Sequence, residues 1–118
     1  MTNIIYLTQY DLQPYYPANI IDSANAAIDL TGATIYCSMI LASGGTAKIN
    51  RRTTGIVIKN QTTNKGEFEL QWQAGDTDTL GTFNIEFEIN PPSGGKFTVP
   101  FAKDGKAQVI ISAGLDSQ

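Results

Sequence analysis

Histidine is absent from all 118 residues. That absence excludes Ser-His-Asp and Cys-His catalysis, histidine-ligated zinc and any histidine pH switch. Cysteine occurs once, as Cys37, so no internal disulfide forms and a structural zinc site has no ligand set. Basic residues are also scarce. Eight Lys and Arg stand against eleven Asp and Glu, for a net charge of -3. A groove that tracks nucleic-acid phosphates needs a basic face, and the one basic pair, Arg51-Arg52, is isolated. No apolar run reaches the length of a membrane-spanning helix. The start, MTNIIYLTQYD, lacks the basic n-region and apolar core of a secretory leader, so synthesis in the cytoplasm is expected. Helical spacing is missing as well, with SANAAIDL over residues 23–30 offering one or two turns at most.

What is present alternates. Within residues 66–101, Phe68, Leu70 and Trp72 interleave with Glu67, Glu69 and Gln71. Phe83, Ile85, Phe87 and Ile89 then interleave with Asn84, Glu86 and Glu88, and Phe97, Val99 and Phe101 with Lys96, Thr98 and Pro100. A period of two sets apolar side chains on one face of a sheet and polar ones on the other. This stretch reads as three consecutive strands joined by short loops, with Trp72 in the core. Further strands are predicted over residues 3–10, 33–41, 54–60 and 107–112, with a short one at 20–22 and an ambiguous segment at 48–52. Residues 11–19 contain Pro14 and Pro17, which restrict them to a loop or a sheet edge. Asp-Gly at 104–105 signals a reversal before the last strand. Turn signals every eight to twelve residues predict one all-β domain over residues 1–118, an antiparallel β-sandwich of about seven to nine strands.

Three groups of side chains are candidate sites. Asp76-Thr77-Asp78-Thr79-Leu80-Gly81 begins like a calcium loop, but Leu80 stands at its fifth position and Phe87 at its twelfth. The two aspartates are therefore expected to cap turns, and no metal or cofactor is expected. Glu67, Glu69, Glu86 and Glu88 could meet across neighbouring strands, as glycosidase carboxylates do. Pairing with Arg51, Arg52 and Lys59 is the simpler expectation, and no nucleophile motif accompanies them, so an enzyme is not expected. Tyr6, Tyr10, Tyr15 and Tyr16 cluster with Pro14 and Pro17 in the first seventeen residues. Tyrosine joins apolar area to a polar tip and is enriched at interfaces. The segment either packs on its own sandwich or forms an arm, residues 1–17, that docks on another subunit. Tyr6, Tyr10, Tyr15, Tyr16, Arg51 and Arg52 are accordingly the candidate interface residues. Buried among Ile35 and Met39 on one alternating face, Cys37 reads as a small core residue.

Several phrases occur in a telling order: IDLTGATI over residues 28–35, Trp72 followed by AGDTDT, Gly81-Thr82-Phe83 leading into Glu86-Phe87-Glu88, and KFTVP over residues 96–100. Over residues 11–113 this order resembles the immunoglobulin-like domain of tailed-phage structural proteins, best known as the N-terminal part of the phage baseplate upper protein family. The resemblance implies an immunoglobulin-like sandwich that joins parts of a virion and carries no catalytic residues. No counterpart of that family's long C-terminal region follows the sandwich, so the expectation is a virion building block: an adaptor or decoration subunit of baseplate, tail, neck or capsid. Its partners would be other virion proteins and further copies of itself, with no nucleic acid or membrane. The alternative is a carbohydrate- or receptor-binding module of a phage fibre, using Trp72 or the tyrosines as stacking platforms.

Overall fold

The computed structural model describes residues 3–22, 24–100 and 106–115. Among them no helix occurs, and nine strands are formed: β1 (Asn3–Thr8), β2 (Tyr16–Asn19), β3 (Thr34–Leu41), β4 (Ile49–Arg52), β5 (Ile56–Ile58), β6 (Glu67–Leu70), β7 (Gly81–Asn90), β8 (Phe97–Val99) and β9 (Ala107–Ser112). They make two sheets. The larger runs β1-β9-β7-β3-β4, with β8 also paired to β7, and the smaller runs β2-β6-β5. The arrangement is all-β and β-sandwich-like.

Period-two alternation accounts for both faces of each sheet. Ile35, Cys37 and Met39 of β3, Phe83, Ile85, Phe87 and Ile89 of β7, and Ala107, Val109 and Ile111 of β9 are buried. Opposite them lie Tyr16, Ala18, Phe68 and Leu70 of the smaller sheet, also buried. The sheets meet at Phe87, whose ring centroid is 5.0 Å from Phe68 edge-on and 5.6 Å from Tyr16. Such tilted and edge-on contacts suit the ring quadrupoles.

The predicted three-strand unit over residues 66–101 is divided between the sheets. β6 belongs to the smaller sheet, whereas β7 and β8 belong to the larger. The connection over residues 71–80 carries the chain across the core, so neighbours in sequence are not neighbours in a sheet. The third run is seen from Phe97 to Val99, while Phe101 and the Asp-Gly at 104–105 lie outside the described residues. Antiparallel pairing holds throughout with one correction, because β1 runs parallel to β9 in register from Asn3↔Ala107 to Thr8↔Ser112. Parallel neighbours need a long connection, and here nearly the whole chain supplies it. The proline-bearing β2 takes an edge position beside β6, where Pro17 needs no ladder donor. Residues 20–22 form only an isolated bridge, Ile21↔Ala27.

Candidate interface surface

The six candidate interface residues do not form one patch. Leu7 points into the core, and alternation turns its neighbour Tyr6 outward, where it is 68% exposed. Tyr10 follows in a turn at φ 73°, its N–H donating to the Thr77 carbonyl at 3.0 Å, with the ring 51% exposed. Tyr15 is half-buried against the core. Tyr16 is a correction: it is 1% exposed, between the sheets, and its hydroxyl has no hydrogen-bond partner. Burial raises its pKa. Alternation in β2 decides this, because Tyr16 and Ala18 share the inner face while Pro17 and Asn19 face out.

Arg51 and Arg52 part for a different reason. From buried Ile49 plain alternation would turn Arg51 inward, but its left-handed backbone at φ 43° and the register shift against β3 turn Arg51 out and Arg52 in. Arg51 projects over the outer face of the larger sheet, its guanidinium carbon 4.3 Å from the Tyr36 ring centroid and Nη2 2.6 Å from Glu88 Oε2. Arg52 is the second correction. It turns inward and donates both Nη1 and Nη2 to the Asp76 carboxylate at 2.7 Å, a bidentate fork. Asp76 is buried and also accepts the Gln73 N–H at 2.7 Å, so the start of the calcium-like loop is occupied by an arginine. Asp78 accepts from Lys48 and from the Thr79 hydroxyl, and the Lys48 bond chiefly holds its carboxyl below the usual carboxylate range. Among the described residues no group of three His, Cys, Asp or Glu is placed to hold a metal ion.

The four glutamates are also separated. Phe68 and Phe87 meet inside the core, so the alternating Glu67 and Glu69 lie on the outer face of the smaller sheet, and Glu86 and Glu88 on the outer face of the larger. The two pairs point away from each other across the sandwich, and the glycosidase geometry fails. Of the expected partners, Arg51 reaches Glu88, and Lys59 lies 3.8 Å from Glu69. The Arg51 hydrogen bond, ahead of one from Asn90, holds the Glu88 carboxyl low.

Trp72 is 3% exposed and donates its indole N–H to the Pro14 carbonyl at 2.9 Å, which pins the N-terminal segment to the connection after β6. It is no stacking platform. Cys37 is fully buried, and burial pushes its thiol up to about 12.

On β1 and the turn after it the exposed apolar residues are Ile4 (42%), Tyr6, Tyr10 and Leu12 (41%), while Ile21, Val57, Leu80 and Leu115 are exposed elsewhere. Ile4 and Leu12 escaped the tyrosine-based reading, although the alternation Ile4-Tyr6-Thr8 in NIIYLT already marks an outer face. An open groove of about 650 Å³ runs beside it, between Thr8–Asp11 and Ala113–Leu115. A second, of about 420 Å³, lies on the outer face of β3 and β7 with Glu86 and Lys106 at its rim. Compared with known proteins, the chain matches no family model and no curated protein.

Proposed function

We propose that this chain is an immunoglobulin-like bacteriophage virion protein, a non-enzymatic adaptor or decoration subunit that works through protein–protein contacts. Strand order supports the fold part of this reading. β2-β6-β5 corresponds to strands B-E-D of an immunoglobulin domain, and β9-β7-β3-β4 to G-F-C-C′ of the variable type. The chain departs from antibody domains in lacking the inter-sheet disulfide, and its Trp72 follows the E-like strand rather than lying on the C-like one.

The observation that carries the contact role is the uncharged edge strand β1, with Ile4 and Tyr6 exposed on it and Tyr10 and Leu12 beyond. Apolar area on a sheet edge is avoided in proteins that work alone. The test is mass spectrometry of purified particles of a phage that encodes this chain. Stoichiometric copies that survive extensive washing are expected. Abundance in infected cells with absence from particles overturns the role.

The exposed rings of Tyr6 and Tyr10 favour one other reading, a glycan- or receptor-binding fibre module. It requires oligosaccharide binding that disappears in Tyr6→Ala or Tyr10→Ala.

A further inference from the structure

We infer that β1 pairs with β1 of a second copy, antiparallel about a two-fold axis, so that the larger sheet continues across a homodimer. The inference deepens the proposed contact role and rests on it only in treating β1 as a contact element.

The other described sheet edges carry features that oppose pairing. β2 has Pro17 among four residues. β5 is three residues long between Gly55 and Lys59, and β8 is three residues long between Lys96 and Pro100. β4 carries both arginines, with Arg51 at φ 43° and a register shift against β3. Short length, proline, charge and bulges are how sheet edges avoid partners. β1 has none of these. It is six residues, NIIYLT, without charge, glycine or proline, and among described strands it pairs with β9 alone.

The edge of β1 away from β9 also has the bonding pattern for self-pairing. The Gln9 N–H donates to the Ser112 carbonyl at 2.8 Å. Alternation then directs the backbone groups of Leu7 and Ile5 toward β9, and those of Ile4, Tyr6 and Thr8 outward. Antiparallel strands keep side chains of opposed residues on one face, so a two-fold axis must pass through a residue. An axis at Tyr6 sets Tyr6 against Tyr6 and Ile4 against Thr8. The outward groups of Ile4 and Tyr6 and the Thr8 N–H gain partners, while the Thr8 carbonyl, which already accepts the Asp11 N–H at 2.9 Å, accepts a second bond. Ring meets ring on the outer face, with an aliphatic side chain beside each.

Charge selects the direction. Lys106 precedes Ala107, the partner of Asn3, and so stands at the beginning of β1, while Asp11 follows its end. Antiparallel docking brings Asp11 of each copy toward Lys106 of the other. Parallel docking brings like charges together. Each copy carries -3, and this uncharged strip lets two copies approach with least repulsion. An isologous contact of this kind closes at two subunits.

The test is the molar mass of the full chain by light scattering across a concentration range, together with four variants. Twice the single-chain mass is expected, falling to the single-chain mass in Tyr6→Pro, which loses the outward donor and the ring but no bond to β9, and in Tyr6→Lys, which adds like charge at the axis. Opposed residues of a bonded antiparallel pair have Cα atoms about 5.5 Å apart, within disulfide range. Tyr6→Cys should therefore crosslink to a dimer on mild oxidation, while Val57→Cys on the other sheet should not. A monomer at every concentration overturns the pairing, as does a dimer untouched by both Tyr6→Pro and Tyr6→Lys, or equal crosslinking at both cysteines. A dimer absent from particles leaves the pairing intact and removes the virion role. A monomer present in particles does the reverse.

Discussion

At the scale of single residues, three buried polar groups have different energetics. The Tyr16 hydroxyl is buried without a partner, so its desolvation is uncompensated, while the ring keeps its contact with Phe87. Tyr16→Phe should leave stability unchanged or raise it by about 1 kcal/mol, read from urea unfolding midpoints. Asp76 is the opposite case. Its charge is matched by the Arg52 fork, and Arg52→Ala leaves a buried carboxylate without a counter-ion. A loss of roughly 3 kcal/mol is expected by the same assay, with Arg52→Lys intermediate because it keeps charge and loses the fork. Cys37, with its thiol pushed to about 12 by burial, should resist a thiol reagent at pH 8 in the native protein and react fully in denaturant. The burial of Cys37 was legible from its place between Ile35 and Met39. The fate of Arg52 was not, since nothing local tells one arginine of a pair to point inward.

Among the elements, the N-terminal segment proves to be part of the sandwich as well as its exposed edge. β1 supplies Leu7 to the core, Tyr16 closes the smaller sheet, and Pro14 receives the Trp72 indole. Deleting residues 1–17 should therefore unfold the domain, with loss of cooperative melting by circular dichroism, so point changes at Tyr6 test the contact more cleanly. The entry to β5 depends on Gly55. It holds φ +90°, and a Cβ there would overlap the carbonyl oxygen of Gln71, whose N–H donates to the Gly55 carbonyl at 2.8 Å. Gly55→Ala should cost about 2 kcal/mol or more, measured as a lower urea midpoint. Strand existence was legible along most of the chain because alternation is a local property. Sheet membership was not, since the loop after Trp72 crosses between sheets without any change in the pattern on either side.

For the whole molecule, exposed carboxylates set the acid response. Asp78 beside Lys48, Glu88 beside Arg51 and Asp29 hydrogen-bonded by Thr31 all have carboxyls held below their ordinary values. In the unfolded chain these groups take up protons near pH 4, before they do so in the folded one. Their contribution is therefore present above about pH 4 and lost as pH falls through the lower folded values. The melting temperature should fall between about pH 4 and pH 2, and 1 M salt should flatten that part of the profile because the pairs are exposed.

Composition and periodicity by themselves determined that this is an all-β chain with Trp72 and Cys37 inside, and they ruled out histidine chemistry and a disulfide. Those properties follow from residue identity and from a two-residue repeat, both of which are local. Tertiary structure alone decided which outward faces share a side of the molecule, separating Glu67 and Glu69 from Glu86 and Glu88, sending Tyr16 and Arg52 inward, and giving β1 only β9 as a neighbour among the described strands. The reason is that alternation fixes only which residues lie together on one strand. Which strands become neighbours depends on long-range pairing between segments as distant as Asn3 and Ala107.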